Sequence, residues 1–529
     1  MSNGEIIITT FSHSGHVFPA TELAIQLASR NYQVTLILPS LPSTPLHPLI
    51  CIVQCSDAPP GPPPTHTGPP LDHTDSGPHH GLPKGSSTKD ILAQLIDNHD
   101  PSSPPLLCVI IDVMMAFQLI PVCTERGVPV ASLFTASACD TALQHAATHV
   151  KEKDLGLDGS VIVPGLPEEM SLSMYNLSRV GPPKQMPGHA GPPPPPLGHG
   201  LMGGPHEWPP PPPGLAIAPR QGLHVGSPPR PLPVGLGQTK DAIALLFNTC
   251  TDLERPFLDY FAKEAKKPIF GVGPLLPNQF WNSVTGSTSL IHDESIRPKH
   301  DSTHSERDVL NWLESKQPHS VIYVSFGSTI TPGDVELVEL AAGLEQSNQA
   351  FIWSIQHSAM KHDPAGLRVH HEEPSLFDPD DLAKRVGDRG LVIHGWAPQL
   401  LILSHRSTAV FLTHCGWNST VEALGCGIPM LTWPIRGDQI YNARLVTKVL
   451  KVGHVLKAEV REAIKKEQVI QGIQKLMSNE EIRQRAKAIS KDVFGKGFPR
   501  SSADAIDAFL DLVDGLMPRG TFRGKEVIC

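Results

Sequence analysis

The residues best suited to do chemistry fall in two clusters. The first follows an apolar run: Glu5-Ile-Ile-Ile-Thr-Thr10 leads into Phe11-Ser12-His13-Ser14-Gly15-His16. An imidazole titrates near neutral pH and takes a proton from a hydroxyl when a loop delivers it to a cleft. By residue type alone, His13 and His16 compete for that role. Asp112 directly follows the apolar run Leu106–Ile111. A carboxylate there could stand behind the imidazole, fix its tautomer and stabilise the imidazolium; the plainer alternative is a helix N-cap.

The second cluster is Ala409–Leu424, AVFLTHCGWNSTVEAL. An apolar strand is predicted to end at Thr413, a turn carries His414, Cys415 and Gly416, and a helix begins near Trp417. Unpaired N–H groups and the positive end of that helix make a place for phosphate beyond the strand. His414, Asn418 and Ser419 add donors at the same spot. Glu422, one turn further on, is placed to accept ribose hydroxyls.

The elements that must position these residues form two alternating series. Strands are predicted at Glu5–Thr10, Val34–Leu38, Leu49–Val53, Leu106–Ile111 and Val128–Phe134, with helices between them from Phe18 to Ser29 and from Lys89 to Ile96. A second series begins at Ala242–Asn248 and continues with Val321–Ser325, Ala350–Ile355, Gly390–His394, Ala409–Thr413, Pro429–Thr432 and Gly453–Leu456. Helices at Asp334–Leu344 and Trp417–Leu424 lie between these strands, and helical periodicity runs over Lys466–Met477 and Glu480–Val513. Short apolar strands alternating with helices imply parallel sheets covered on both faces. Two α/β halves joined near Asp252–Pro274 follow, with the natural site in the cleft between them. No G-x-G-x-x-G follows the first strand, which speaks against a dinucleotide site there.

Proline numbers 55 among 529 residues, roughly twice common usage. It concentrates in 57–85 and 181–237, including Pro192–Pro196 and Pro209–Pro213. Such stretches bury too little apolar surface to offset backbone ordering, so loops or polyproline II segments are expected. Lys and Arg total 43 against 52 Asp and Glu, a net charge of −9. That balance excludes any global attraction to nucleic acid or an anionic membrane. Nine cysteines without a C-x-x-C pair argue against a disulfide scaffold or a structural zinc site. The first residues carry Glu5 and no basic region, unlike a signal peptide, and no apolar run reaches a membrane span. The expectation is a soluble cytoplasmic monomer.

Around the second cluster stand Trp396-Ala-Pro-Gln399 and Trp433-Pro-Ile-Arg-Gly-Asp438-Gln439. The whole run resembles the signature box of plant secondary-product glycosyltransferases, which use UDP-sugars. Phe247-Asn-Thr-Cys-Thr-Asp-Leu-Glu254, Gly271-Val-Gly-Pro-Leu275 and Ser320–Ser328 look like landmarks of the same family. The resemblance implies a GT-B fold, two facing Rossmann-like domains with the donor held mainly by the second. The expected division is 1–255 for the acceptor domain, 256–500 for the donor domain, and 501–529 as a helix and tail returning to the first. By the same resemblance Trp396 stacks on uracil with Ala397 and Gln399 beside it, and Ser328 approaches the nucleotide. His414, Asn418 and Ser419 bind the diphosphate, Glu422 holds ribose, Asp438 and Gln439 hold sugar hydroxyls, and Trp417 lies near the sugar. Alignment of Gly15-His16 and Pro19 with the family's Gly-His-x-x-Pro selects His16 as base, and the family's partner Asp falls on Asp112. The implied reaction is inverting transfer of glucose from the co-substrate UDP-glucose to a small lipophilic acceptor such as a flavonoid, with neither metal nor resident cofactor. Phe18, Phe117 and Phe134 are candidates for the acceptor pocket. Attack by a ring carbon, a terpenoid acceptor, a UDP-sugar epimerase or hydrolase, and an inactive Pro-rich scaffold are the alternatives.

Overall fold

The computed structural model describes residues 2–42, 45–56, 86–174, 176, 236–285, 291, 302–356, 360–362, 376–458 and 463–516. The Pro-rich stretches 57–85 and 181–237 thus fall outside the described residues, apart from the short end 236–237. In the first half, strands β1 (Glu5–Thr9), β2 (Gln33–Leu38), β3 (Ile50–Gln54), β4 (Leu106–Asp112) and β5 (Val130–Phe134) alternate with helices. These are α1 (Ser14–Ala28), α2 (Thr88–Asp97), α3 (Ala116–Thr124) and α4 (Ala138–His149). After β6 (Ala244–Phe247) and α5 (Thr251–Ala265), β7 (Ile269–Gly271) pairs in parallel with β6. The first sheet therefore reaches past residue 255, where the sequence suggested a boundary; the apolar Ile269-Phe270 finds its backbone partners on β6.

The second half contains α6 (Glu306–Glu314), β8 (Val321–Ser325), α7 (Asp334–Gln346), β9 (Ala350–Ile355), α8 (Pro379–Val386) and β10 (Gly390–His394). It continues through α9 (Gln399–Ser404), β11 (Thr408–Thr413), α10 (Trp417–Cys426), β12 (Met430–Thr432), α11 (Gln439–Arg444) and β13 (Gly453–Val455). Helices α12 (Lys466–Met477), α13 (Glu480–Ile489) and α14 (Arg500–Asp514) follow. No described helix is long and apolar enough to cross a membrane.

Both sheets are wholly parallel and share one strand order. The first reads β3-β2-β1-β4-β5-β6-β7 and the second β10-β9-β8-β11-β12-β13. In such a sheet the order reverses direction at one point, where the loops leaving adjacent strands part and open a crevice beyond their C-terminal ends. That point lies between β1 and β4 in the first sheet and between β8 and β11 in the second. The loop before His16 and the strand ending at Asp112 leave one crevice; Ser325–Ser328 and Thr413–His414 leave the other. Strand order alone thus puts both chemical clusters where a ligand binds.

Strands β1, β5 and β8 are buried at every position, as expected where helices cover both faces. Helix α1 buries Ala20, Leu23, Ala24, Leu27 and Ala28, the spacing of one helical face. Helical periodicity over Glu480–Val513 suggested one long element, but the chain breaks it. Gly497 takes φ of 90°, a backbone that L side chains rarely adopt, and Pro499 then starts α14 afresh. The break turns α14 back onto the first sheet. There Ile506, Phe509, Leu510 and Val513 join a core with Ile6, Leu36, Leu107 and Leu246. Each such apolar side chain contributes roughly 1.5–3 kcal/mol on burial. Arg30 to Asp507 and Tyr32 to Asp514 fasten the edges of the contact.

Candidate active site

Helix α1 starts at Ser14, so His16 sits in the helix's first turn, not in the preceding loop. Its Nδ1 lies 2.8 Å from Asp112 Oδ2 and 2.9 Å from Thr135 Oγ1. A carboxylate can only accept, so Nδ1 carries the proton and Nε2 keeps the lone pair. Asp112 is completely buried and also accepts from the backbone N–H of Met114 at 2.9 Å and of Phe11 at 3.4 Å. The cap role and the imidazole-orienting role thus fall to the same carboxylate, one through each oxygen. Burial works against the His16 imidazolium, but the charge and hydrogen bond of Asp112, with Asp438 adding its charge, outweigh it. His16 accordingly titrates above the usual 6.5. His13, the competitor, is the exposed N-cap of α1 and titrates below 6.5, because partial desolvation of the ring, and then the charges of His16 and Arg436, disfavour its charged form.

On the facing sheet, the turn after β11 is tightly held. Cys415 adopts φ of 65°, its N–H donates to Thr413 Oγ1 at 3.2 Å, and its carbonyl accepts from Asn442 Nδ2 at 2.9 Å. A non-glycine residue stays in that conformation only where its neighbours determine it. His414 packs against two glycines: a Cβ at Gly327 or Gly416 would come within 2.8 or 2.6 Å of its Nε2. Burial, and then the charge of Arg436, lower its pKa to about 4, so the ring is neutral at physiological pH. Its Nδ1 is buried without a hydrogen-bond partner among the described residues. A neutral imidazole at the start of α10 is one more donor for an anion.

Gln399 makes a clamp. Its Nε2 donates to Glu422 Oε2 at 2.6 Å and Ser419 Oγ at 3.1 Å, while Tyr323 OH donates to its Oε1 at 3.3 Å. Ala397 is buried and Trp396 half-buried at the β10–α9 loop. Gln439 is oriented by its own turn: its Oε1 accepts from Ile435 N and Arg436 N, both at 2.9 Å. That leaves the amide N–H groups for a ligand. Burial raises the pKa of Asp438, opposed by the Asn442 amide and the backbone N–H of Trp417, which favour its carboxylate.

The crevices meet. Ser14 Oγ lies 3.2 Å from Ser328 Oγ, and Asn418 Nδ2 donates to Gly15 O at 3.4 Å. Trp417, which the resemblance placed near a sugar, is 4% exposed, and its indole N–H donates to Asn248 O at 2.7 Å. Its one polar atom is committed to the joint between the halves. Of the acceptor candidates, Phe18 is half-buried and Phe117 stands 79% exposed on α3. Phe134 does not line an opening; it is 2% exposed and stacks on Phe247 at 4.6 Å between centroids, because both end adjacent core strands. Sequence reasoning missed Thr135, whose only signal was its place just past β5. It also missed Asn442, although four residues after Asp438 on a helix is the spacing that brings side chains together.

A model of the family described as UDP-glucoronosyl and UDP-glucosyl transferase matches residues 290–492. The chain is 30% identical over 398 residues to an abscisate beta-glucosyltransferase of Phaseolus angularis, covering 72% of each. It is 36% identical to a scopoletin glucosyltransferase of Nicotiana tabacum over 46% of this chain and 48% of that one. Several curated relatives are matched over only about half their length, among them a UDP-glucose flavonoid 3-O-glucosyltransferase of Fragaria ananassa, at 32% identity and 53% of its length. Among solved structures, a Phytolacca americana transferase complexed with UDP-2-fluoro-glucose and pterostilbene aligns with a TM-score of 0.61 at 22% identity, covering 97% of this chain and 99% of that one. A Medicago truncatula transferase complexed with UDP-glucose aligns with a TM-score of 0.60 at 20% identity, covering 97% and 99%. The fold of two facing Rossmann-like domains is thus the GT-B fold.

Proposed function

Because the chain belongs to the UDP-glucoronosyl and UDP-glucosyl transferase family, we propose that it transfers glucose from UDP-glucose to a hydroxyl of a small lipophilic phenolic, with inversion to the β-glucoside. His16 Nε2 removes the hydroxyl proton as the oxygen attacks the anomeric carbon. The bond from that carbon to the β-phosphate oxygen breaks, and its electron pair leaves with UDP. Asp112 holds the imidazole and stabilises its charged form. His414, Asn418, Ser419 and the α10 N-terminus receive the diphosphate. Glu422, held by Gln399, accepts from ribose beside Trp396 and Ala397, and Asp438 and Gln439 hold the sugar.

The observation that carries this reading is the apposition, at the switch points of two facing sheets, of the His16–Asp112 pair and the His414-to-Gln439 surface. The names of the relatives support glucose as the sugar and phenolics as the acceptor class. A panel of phenolic, terpenoid and carboxylic acceptors with UDP-glucose, followed by mass spectrometry and product NMR, tests it. A β-glucosyl phenol is expected; turnover of UDP-glucose equally fast without acceptor would overturn it.

Donor choice follows from the geometry of Gln439. With its carbonyl oxygen occupied, it presents only N–H donors, while the Asp438 carboxylate accepts. Together they suit neighbouring equatorial hydroxyls. Galactose turns its 4-hydroxyl axial and leaves one buried partner unpaired, at about 1–3 kcal/mol. UDP-glucose is therefore expected over UDP-galactose by at least about tenfold in kcat/KM, with Gln439→Ala eroding the preference. Equal use of the two donors would reject the assignment.

The pH profile offers another test. A base must be unprotonated, so kcat/KM falls as pH drops through the His16 pKa, above 6.5. In Asp112→Asn the contributions of Asp112 that raise this pKa disappear and burial remains, so the acid limb moves to lower pH. A limb unmoved by that substitution would remove His16 from the role.

A further inference from the structure

Helix α11 is short, and everything about it is tied down. It begins immediately after Asp438, and Asn442 lies one turn along, wholly buried. The Asn442 side chain bonds in three directions and commits both of its N–H donors. Nδ2 donates to Asp438 Oδ2 at 2.8 Å and to Cys415 O at 2.9 Å. Oδ1 accepts from Ser137 Oγ at 2.6 Å. The assignment of oxygen and nitrogen is not arbitrary, because a carboxylate and a carbonyl both require the NH₂ end.

Those three partners lie on both halves, two on the second and one on the first. Cys415 sits in the turn beside His414, Asp438 precedes the sugar-facing amide of Gln439, and Ser137 caps α4 in the opposite half, accepting from Asp140 N at 3.0 Å. Further along α11, the Tyr441 carbonyl meets Cys139 Sγ at 3.8 Å, and Arg444 donates to the carbonyls of Ser171 at 2.7 Å and Glu169 at 3.2 Å. The α4 end of this joint is itself braced, since Glu254 accepts from Ala138 N at 3.1 Å and Cys139 N at 2.8 Å.

We propose that Asn442 is a positioning residue that fastens the Asp438 carboxylate to the acceptor-side half through Ser137, so that the glucose of UDP-glucose is gripped fully only when the halves are joined there. The inference rests on the reading of Asp438 as a sugar-holding group. Asn442 touches no reacting atom. It fixes Oδ2 of Asp438, and it ties that geometry to a hydroxyl contributed by the facing half. UDP alone lacks the sugar and feels only the bond from Asn442 to the Cys415 carbonyl beside His414.

The test compares UDP affinity, by calorimetry, with the KM for UDP-glucose in Asp438→Ala, Asn442→Ala, Ser137→Ala, Ser137→Thr and the Ser137→Ala/Asn442→Ala pair. Asn442→Ala loses hydrogen bonds to a charged group and is expected to raise the UDP-glucose KM about tenfold or more, clearly beyond the smaller loss in UDP affinity that follows from freeing the Cys415 carbonyl beside His414. Ser137→Ala is expected to raise it about 3- to 10-fold, with Ser137→Thr restoring it. Because Ser137 acts through Asn442, the double variant should be no worse than Asn442→Ala alone. A merely structural joint would weaken UDP and UDP-glucose alike, and that result, or full additivity in the double variant, overturns the proposal. If Asp438→Ala raises KM and Asn442→Ala does not, this inference fails alone. If Asp438→Ala leaves KM unchanged, the reading of the sugar site fails and takes the inference with it. Should Asn442→Ala not fold, the Ser137 pair carries the same comparison.

Discussion

His16→Ala is expected to lower kcat by about 10²–10⁴-fold, the usual worth of a positioned general base. The basis is geometric: Nδ1 is held 2.8 Å from a buried carboxylate, which leaves Nε2 as the proton acceptor. The substitution removes a half-buried ring from the first turn of α1, outside the sheet core, so the fold should survive. UDP affinity should change little, since the nucleotide groups lie on the facing half. Single-turnover rates with a saturating phenol, together with UDP calorimetry, separate the two quantities. Near-wild-type turnover in a folded variant would reject His16 as the base. His13→Ala is the control and is expected to leave kcat within the same order of magnitude, because His13 is exposed and no carboxylate among the described residues stands behind it.

The second large effect is expected at His414. Its ring is neutral, buried, and pressed between Gly327 and Gly416 at the start of α10. Charge builds on the β-phosphate oxygen as the glycosidic bond breaks, and a preorganised donor in a water-poor site stabilises it there. Removing one such donor costs about 10²–10³-fold in kcat, so His414→Ala should fall in that range and also weaken UDP. Gly416→Ala, at an ordinary negative φ, keeps the imidazole but displaces it, since the new methyl carbon would lie 2.6 Å from Nε2; it should lose rate in the same direction. Unchanged kcat in both variants would separate His414 from the leaving group.

How much of this was legible beforehand depended on the range of each interaction. Strands buried on both faces announce themselves as short apolar runs, and Val321–Ser325, Ala350–Ile355 and Gly390–His394 lie in the structure where the sequence put them. The local glycines and proline at 495–499 were legible too, yet the strong periodicity on either side hid the break. Partners distant in the chain were another matter. Nothing in the residues around Trp417 points to Asn248, because that contact exists only once the two sheets face each other. Ser137 beside Asn442 was hidden for the same reason, and Thr135 beside His16 because β5 meets α1 only once the first sheet is assembled. Gln399 looked like one more nucleotide contact; the fold makes it the group that holds Glu422 and Ser419. Phe134 was misread because a strand end at a crevice and a strand end under a neighbouring strand look alike in one dimension.

The return of α14 to the first sheet has a consequence for how the polypeptide is made. A ribosome releases β1 to β7 early, but the helix bearing Ile506, Phe509, Leu510 and Val513 leaves it only after the whole second sheet. The half made first therefore cannot be finished first. Domains ordinarily complete in the order of their synthesis; here the later sheet closes while the earlier one still shows an apolar flank. That flank stays open to water until α14 arrives to cover it.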